Sequence, residues 1–409
     1  MYSCKSNRIY NILFLSLFLR CMILAIVLLA SPYLSDGFLG SSIDQDDYRY
    51  ELGAELYRDS ATKVIDKKAF ADAYRSLGDY TGDVGGIISA TSLWYWICCI
   101  LTYVTRTTVS IRLLNILFSI GAVYILYKIL VLYYDEKIAL LGASLLAFCP
   151  YPSFFACFAY KDIMFMFLSL LLLYFSCLYR FKIHISGIII FSIPLLCFCL
   201  MSTRGGMSAI WIILCIGNAC CTKSFFVDKK NRVLHYAIIV IAFAICCFVI
   251  LSSFDTILYK LSYYILDRSE ESGIIQYFSI NSFTDIYKLP FALIFAFLQP
   301  LFLGNSITTW IDVVGIINYL FIFVVVGAVF DLFLIHKRED KVLIFLLLAY
   351  YCMSITASLG IVRHYSGLIF IPIILFSHFY HSSSCEDKKL WIICSLVLFL
   401  LLTFYIMIK

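Results

Sequence analysis

The chain has 409 residues, 63% of them hydrophobic and 14% charged, with a formal net charge of +5 and a mean hydropathy of +0.94. A soluble domain carries about 25% charged residues, so this composition excludes one. No block of basic residues marks a nucleic-acid partner.

Apolar runs of about 20 residues recur along nearly the whole sequence. They predict an all-α polytopic membrane protein in which residues 1–409 form a single integral-membrane domain. The 17 cysteines lie mostly inside these runs, with no CxxC and no Cys/His spacing suited to zinc. They read as small apolar packing residues.

Lys5 and Arg8 precede the first apolar run. No small-x-small cleavage site follows "LLASPYLS", so this run reads as a retained anchor rather than a signal peptide. Clear spans are predicted over 14–34, 110–133, 138–157, 163–179, 184–202, 206–222, 233–252, 311–335, 341–358, 364–381 and 389–408. The apolar stretches 85–104 and 290–303 are ambiguous. If both lie in the interface or re-enter, the turns "YYDEK", "YRFKIH", "TKSFFVDKKNR", "HKREDK" and "CEDKK" all share the cytoplasmic side with the N-terminus. The positive-inside rule favours that arrangement of about eleven spans, within a range of roughly ten to thirteen. It places Arg106 and Arg112 outside, against the trend.

Two segments are too long for simple turns: 35–84, and 253–310, the latter including the ambiguous segment. Both are predicted as larger extracytoplasmic loops bearing short interfacial helices. The first holds "SIDQDDYRYELGAELY", Ser42 to Tyr57, with three aspartates and two glutamates. In a helix, Asp46 and Tyr50, Tyr50 and Ala54, and Asp47 and Glu51 are each four apart, so each pair shares a face. Acids at a helix start are favoured by the macrodipole, and a solvated loop would show the same pattern. A carboxylate under apolar helices at a membrane edge is also a candidate general base.

The stretch "DDYRYELGAEL", Asp46 to Leu56, resembles the first-loop motif of the C-type glycosyltransferase superfamily. That superfamily includes protein O-mannosyltransferases and lipid A aminoarabinose transferases. The resemblance implies that Asp46 is the catalytic acid. Asp47 stands where the family often has Glu. A second resemblance lies in the order Arg112, Asn115, Pro150, Asp162, and it implies that Asp162 is a second functional acid. Lys161 and Asp162 are equally the residues of an interfacial ion pair capping a helix. Arg204 lies between two predicted spans. With Lys161, Arg363 and His364 it forms a candidate cationic clamp for a phosphate leaving group.

The resemblance implies a polyprenyl-phosphate-linked sugar donor, a glycan, lipid or protein acceptor, and an outward-facing site. The expected reaction is a hexosyltransferase-like single inverting displacement at a bacterial cytoplasmic (inner) membrane, in cell-surface glycan biosynthesis. Asp46 takes the acceptor proton, Asp47, Tyr50 and Glu51 support it and contact substrate, and the phosphate leaves toward Lys161, Arg204 or Arg363. No cofactor is expected, although Asp44, Asp46 and Asp47 can hold a divalent cation. The alternatives are a repeat-unit polymerase of the O-antigen or capsule type, a lipid-linked oligosaccharide flippase or other transporter, and a non-catalytic scaffold.

Overall fold

The computed structural model describes residues 7–30, 46–81, 93–181, 183, 187–220, 314, 317–333, 344, 347–348, 350–351 and 367–408. Arg363, His364, the loop 253–310 and Asp44, a candidate cation ligand from the sequence, lie outside the described residues. The side chains of Asp46 and Asp47 do too.

Twelve α-helices occur among the described residues, with no strand. They are α1 (Asn7–Ala30), α2 (Asp46–Ser60), α3 (Lys67–Thr81), α4 (Leu93–Thr105), α5 (Val109–Tyr133) and α6 (Glu136–Phe148). After them come α7 (Pro150–Phe155), α8 (Lys161–Arg180), α9 (Gly187–Cys220), α10 (Ile322–Phe333), α11 (Phe370–Ser382) and α12 (Cys385–Ile408). Three segments are long and apolar enough to cross a membrane: Asn7–Leu29, Val109–Tyr133 and Lys161–Arg180. The first begins seven residues before the predicted span at 14, because Asn7, Arg8 and Tyr10 continue the helix.

The predicted span 138–157 is broken. Helix α6 has 13 residues and rises only ~20 Å at about 1.5 Å per residue. Pro150 and Pro152 lack the N–H groups that would continue it, so the chain restarts as α7 after an extended Cys149. The break leaves carbonyls of the last turn of α6 without helical partners. Arg20 supplies one. It lies in α1, is fully buried, and donates from Nη1 to Ala147 O at 2.8 Å and from Nε to Ser119 Oγ at 2.9 Å. A guanidinium is favoured at the negative end of a helix dipole. The contacts place Arg20 midway along α5, where it joins α1, α5 and α6.

Helix α9 contains two predicted spans. Arg204 meets Asp162, Trp211 Nε1 donates to Ser169 O, and Asn218 Nδ2 donates to Ser176 Oγ. In each pair the residues are 42 apart. A constant separation requires the second half of α9 to run parallel to α8. The chain must therefore return along the bundle first, and it reverses at "TRGGMS". Ser208 Oγ donates to Leu200 O at 2.6 Å, whereas residues eight apart in a straight helix are separated by ~12 Å.

Helix α4 is a shorter apolar helix of 13 residues. It packs with α2 and α3. Tyr50, Ala54, Tyr57, Phe70, Leu77 and Tyr95 belong to their common core. Gly53 makes the close approach possible, since a Cβ there would lie 2.6 Å from Leu77 Cδ1 and from the Tyr95 ring. The α2–α3 turn is stitched by Tyr57, whose hydroxyl donates to Val64 O and accepts from Asp66 N, each at 2.9 Å. Asp66 caps α3 by accepting from the amides of Lys68 and Ala69. Short helices in segment 35–84 thus agree with the sequence reading, over the residues described.

Candidate functional site

Helices α5 and α8 both start at the end of the bundle where α2 packs. The opposite end carries the Tyr133–Asp135 turn and Arg180. The site is built where these starts meet.

Asp46 and Asp47 open α2. One turn on from Asp47, Glu51 receives a two-pronged ion pair from Arg112 on α5, with Nε to Oε1 at 2.6 Å and Nη2 to Oε2 at 2.8 Å. Both side chains are only 15% exposed, so this fork is shielded from salt and water. The same guanidinium lies 5.4 Å from the Phe158 ring centre. Arg112 therefore faces the acidic helix.

Tyr50, expected to contact substrate, is fully buried in the α2–α4 core. Its position makes it a packing residue that fixes the roll of α2.

Asn115 stands three residues after Arg112. Its Nδ2 donates to Phe158 O at 2.6 Å and Tyr160 O at 2.9 Å. Trp94 Nε1 on α4 donates to Ala159 O at 2.8 Å. Residues 158–160, which are not helical, thereby have three carbonyls satisfied by side chains. This loop delivers the start of α8.

Lys161 is the first residue of α8 and is half-buried. Asp162 follows in the first turn and is 3% exposed. Two effects stabilise its charge: the positive end of the helix dipole and Arg204 of α9, whose Nη2 donates to Asp162 Oδ1. Arg204 also lies 5.5 Å from the Phe165 ring centre, and its side chain is 10% exposed. The pair is nearly dry and sits where α8 starts, at the end of the bundle where α2 packs.

Two groups at the α2–α3 turn have displaced acidities. Burial pushes the Tyr57 phenol up. The amides of Ala69 and Thr62, and then the Thr62 hydroxyl, hold the Asp66 carboxyl down to about 2. Among the described residues, no group of three or more His, Cys, Asp or Glu is spaced to hold a metal ion.

Of the expected site residues, the structure therefore brings Asp162 and Arg204 into contact, sets Lys161 beside them, and ties Glu51 to the neighbouring helix. Sequence reading had not placed Arg112, Asn115 or Trp94 in the site. The Arg112–Asn115 spacing was visible in the sequence. Its purpose, holding both α2 and the 158–160 loop, needed the partners, which lie 43 to 61 residues away.

No protein-family model, curated protein or solved structure matches the chain.

Proposed function

We propose that this chain is a membrane glycosyltransferase that moves a sugar from a polyprenyl-phosphate-linked donor to an acceptor hydroxyl. In this reading it has about eleven spans. The N-terminus is cytoplasmic, and the α2 end of the bundle faces outward from a bacterial inner membrane. The observation that carries the proposal is the nearly dry Asp162–Arg204 pair, held at the same bundle end as the acidic helix α2.

Asp46 acts as general base and removes the acceptor proton as the acceptor oxygen attacks the anomeric carbon. The glycosidic C–O bond breaks and the lipid phosphate departs with the bonding pair. Arg204 and Lys161 bind the growing phosphate charge, with Arg363 and His364 as further cations of the clamp. Asp162 holds Arg204 in place before the phosphate arrives, so little reorganisation accompanies charge development. Glu51 and Arg112 fix the height of α2, and with it Asp46 and Asp47, against α5. Packing of a greasy chain around this site follows from the donor: a lipid keeps its reactive sugar at headgroup level.

The test is the lipid-linked intermediate that builds up in cells lacking the gene. The transferase reading predicts a polyprenyl phosphate carrying a single sugar on the outer leaflet. A lipid-linked multi-sugar repeat unit on the outer leaflet would instead indicate a polymerase. The same species trapped on the inner leaflet would indicate a flippase.

A further inference from the structure

At the opposite end of the bundle, three side chains form a hydrogen-bonded series. Asp331 on α10 pairs through Oδ1 with His378 Nδ1 on α11. The other ring nitrogen, Nε2, lies 2.9 Å from Ser382 Oγ. His378 and Ser382 are four residues apart in α11, so they share one helix face. Asp331 is fully buried, His378 is 6% exposed, and Ser382 is half-buried at the helix end. The series thus runs from a dry acid to an accessible hydroxyl.

Ser382 differs from the helical serines whose hydroxyl is turned back on its own helix. Ser60, Ser202 and Ser377 each bond back to the carbonyl four residues earlier, at 2.7 to 2.8 Å. Ser382 turns to the imidazole instead. The two contacts suit one tautomer. With Nδ1 donating to the Asp331 carboxylate, the neutral imidazole presents the lone pair of Nε2 to the Ser382 hydroxyl. That is the direction a general base requires.

We propose that Ser382, His378 and Asp331 form a second reactive site, in which Ser382 is a nucleophile toward acyl esters at that face of the protein. Oγ attacks the ester carbonyl while His378 Nε2 takes its proton, and Asp331 stabilises the imidazolium. The ester C–O bond then breaks, the alcohol leaves with the proton returned by His378, and Ser382 carries the acyl group until water removes it. The Ser383 amide is committed to Phe379 O, and that of Ser384 to Asp387. In this proposal the amides opening α12, at Cys385 and Glu386, serve the developing oxyanion.

The experiment uses the full-length protein in detergent and a fluorophosphonate probe, which forms an Oγ–P bond with loss of fluoride. The expected result is one label per chain, mapped to Ser382 by peptide mass spectrometry. Ser382→Ala abolishes labelling, His378→Asn and Asp331→Asn slow it by roughly 10²–10⁴-fold, and Ser384→Ala leaves it unchanged. Wild-type protein of native elution profile that takes no label, or is labelled elsewhere, overturns the proposal. Equal labelling rates in wild type and His378→Asn also overturn it. The wild-type peptide map decides the matter even if a variant fails to fold.

Discussion

At the scale of single residues, the Asp162–Arg204 pair has two roles that can be separated. Removing one partner strands a charge in a nearly dry environment, at a cost of about 3–5 kcal/mol. Replacing both by neutral side chains of similar volume is close to neutral or stabilising. Arg204→Met should therefore lower the thermal midpoint in detergent sharply, and adding Asp162→Asn should recover most of it. Surface glycan output should stay lost in the double variant, because the phosphate-binding cation is gone. Recovery of glycan together with stability would reduce the pair to a helix–helix fastener. Asp66 gives a second test. Its folded acidity of about 2 lies below the ordinary aspartate value of about 3.9, so its contribution is fully present above pH ~4. It is lost as pH falls through about 2. Hydrogen exchange at the start of α3 should be protected at pH 4 and 7 alike. Early loss of Ala69 protection near pH 4 would contradict the cap.

At the scale of elements, α2 is held by close packing against α3 and α4 and by one ion-pair fork to α5. Gly53→Ala forces a methyl group into contact with Leu77 and Tyr95, and overpacking of this kind costs about 1–3 kcal/mol. The account predicts faster hydrogen exchange throughout α2 in this variant and a matching fall in glycan output. Unchanged exchange with lost output would mean that the height of α2 is not what positions the acids. The helical start at Asp46 was legible in the sequence from its spacing of acids, aromatics and small residues. The fork to Arg112 was not, because a contact over 61 residues leaves no local signature. The break of α6 is written in Pro150 and Pro152. Its capping by Arg20 is not, since an arginine inside an apolar run reads as an edge residue until the orphaned carbonyls of α6 are located.

At the scale of the whole molecule, apolar periodicity predicted an all-helical membrane protein, and the described residues contain three helices able to cross a membrane. The reversal near Arg204 was legible because "TRGGMS" interrupts a long apolar run. The shared end of α2, Lys161, Asp162 and Arg204 follows from counting spans, and the contacts among α2, α5, α8 and α9 agree with it. The Asp331–His378–Ser382 series escaped sequence reading: His378 and Ser382 resemble an ordinary polar helix end, and Asp331 is 47 residues away. The central claim concerns Asp46, whose role depends on chemistry rather than packing. The most direct measurement is surface glycan in cells lacking the native gene, complemented with wild type or Asp46→Asn at matched membrane levels. The account predicts that wild type restores the glycan and that Asp46→Asn, nearly isosteric but unable to act as a base, does not. Full restoration by Asp46→Asn would contradict it.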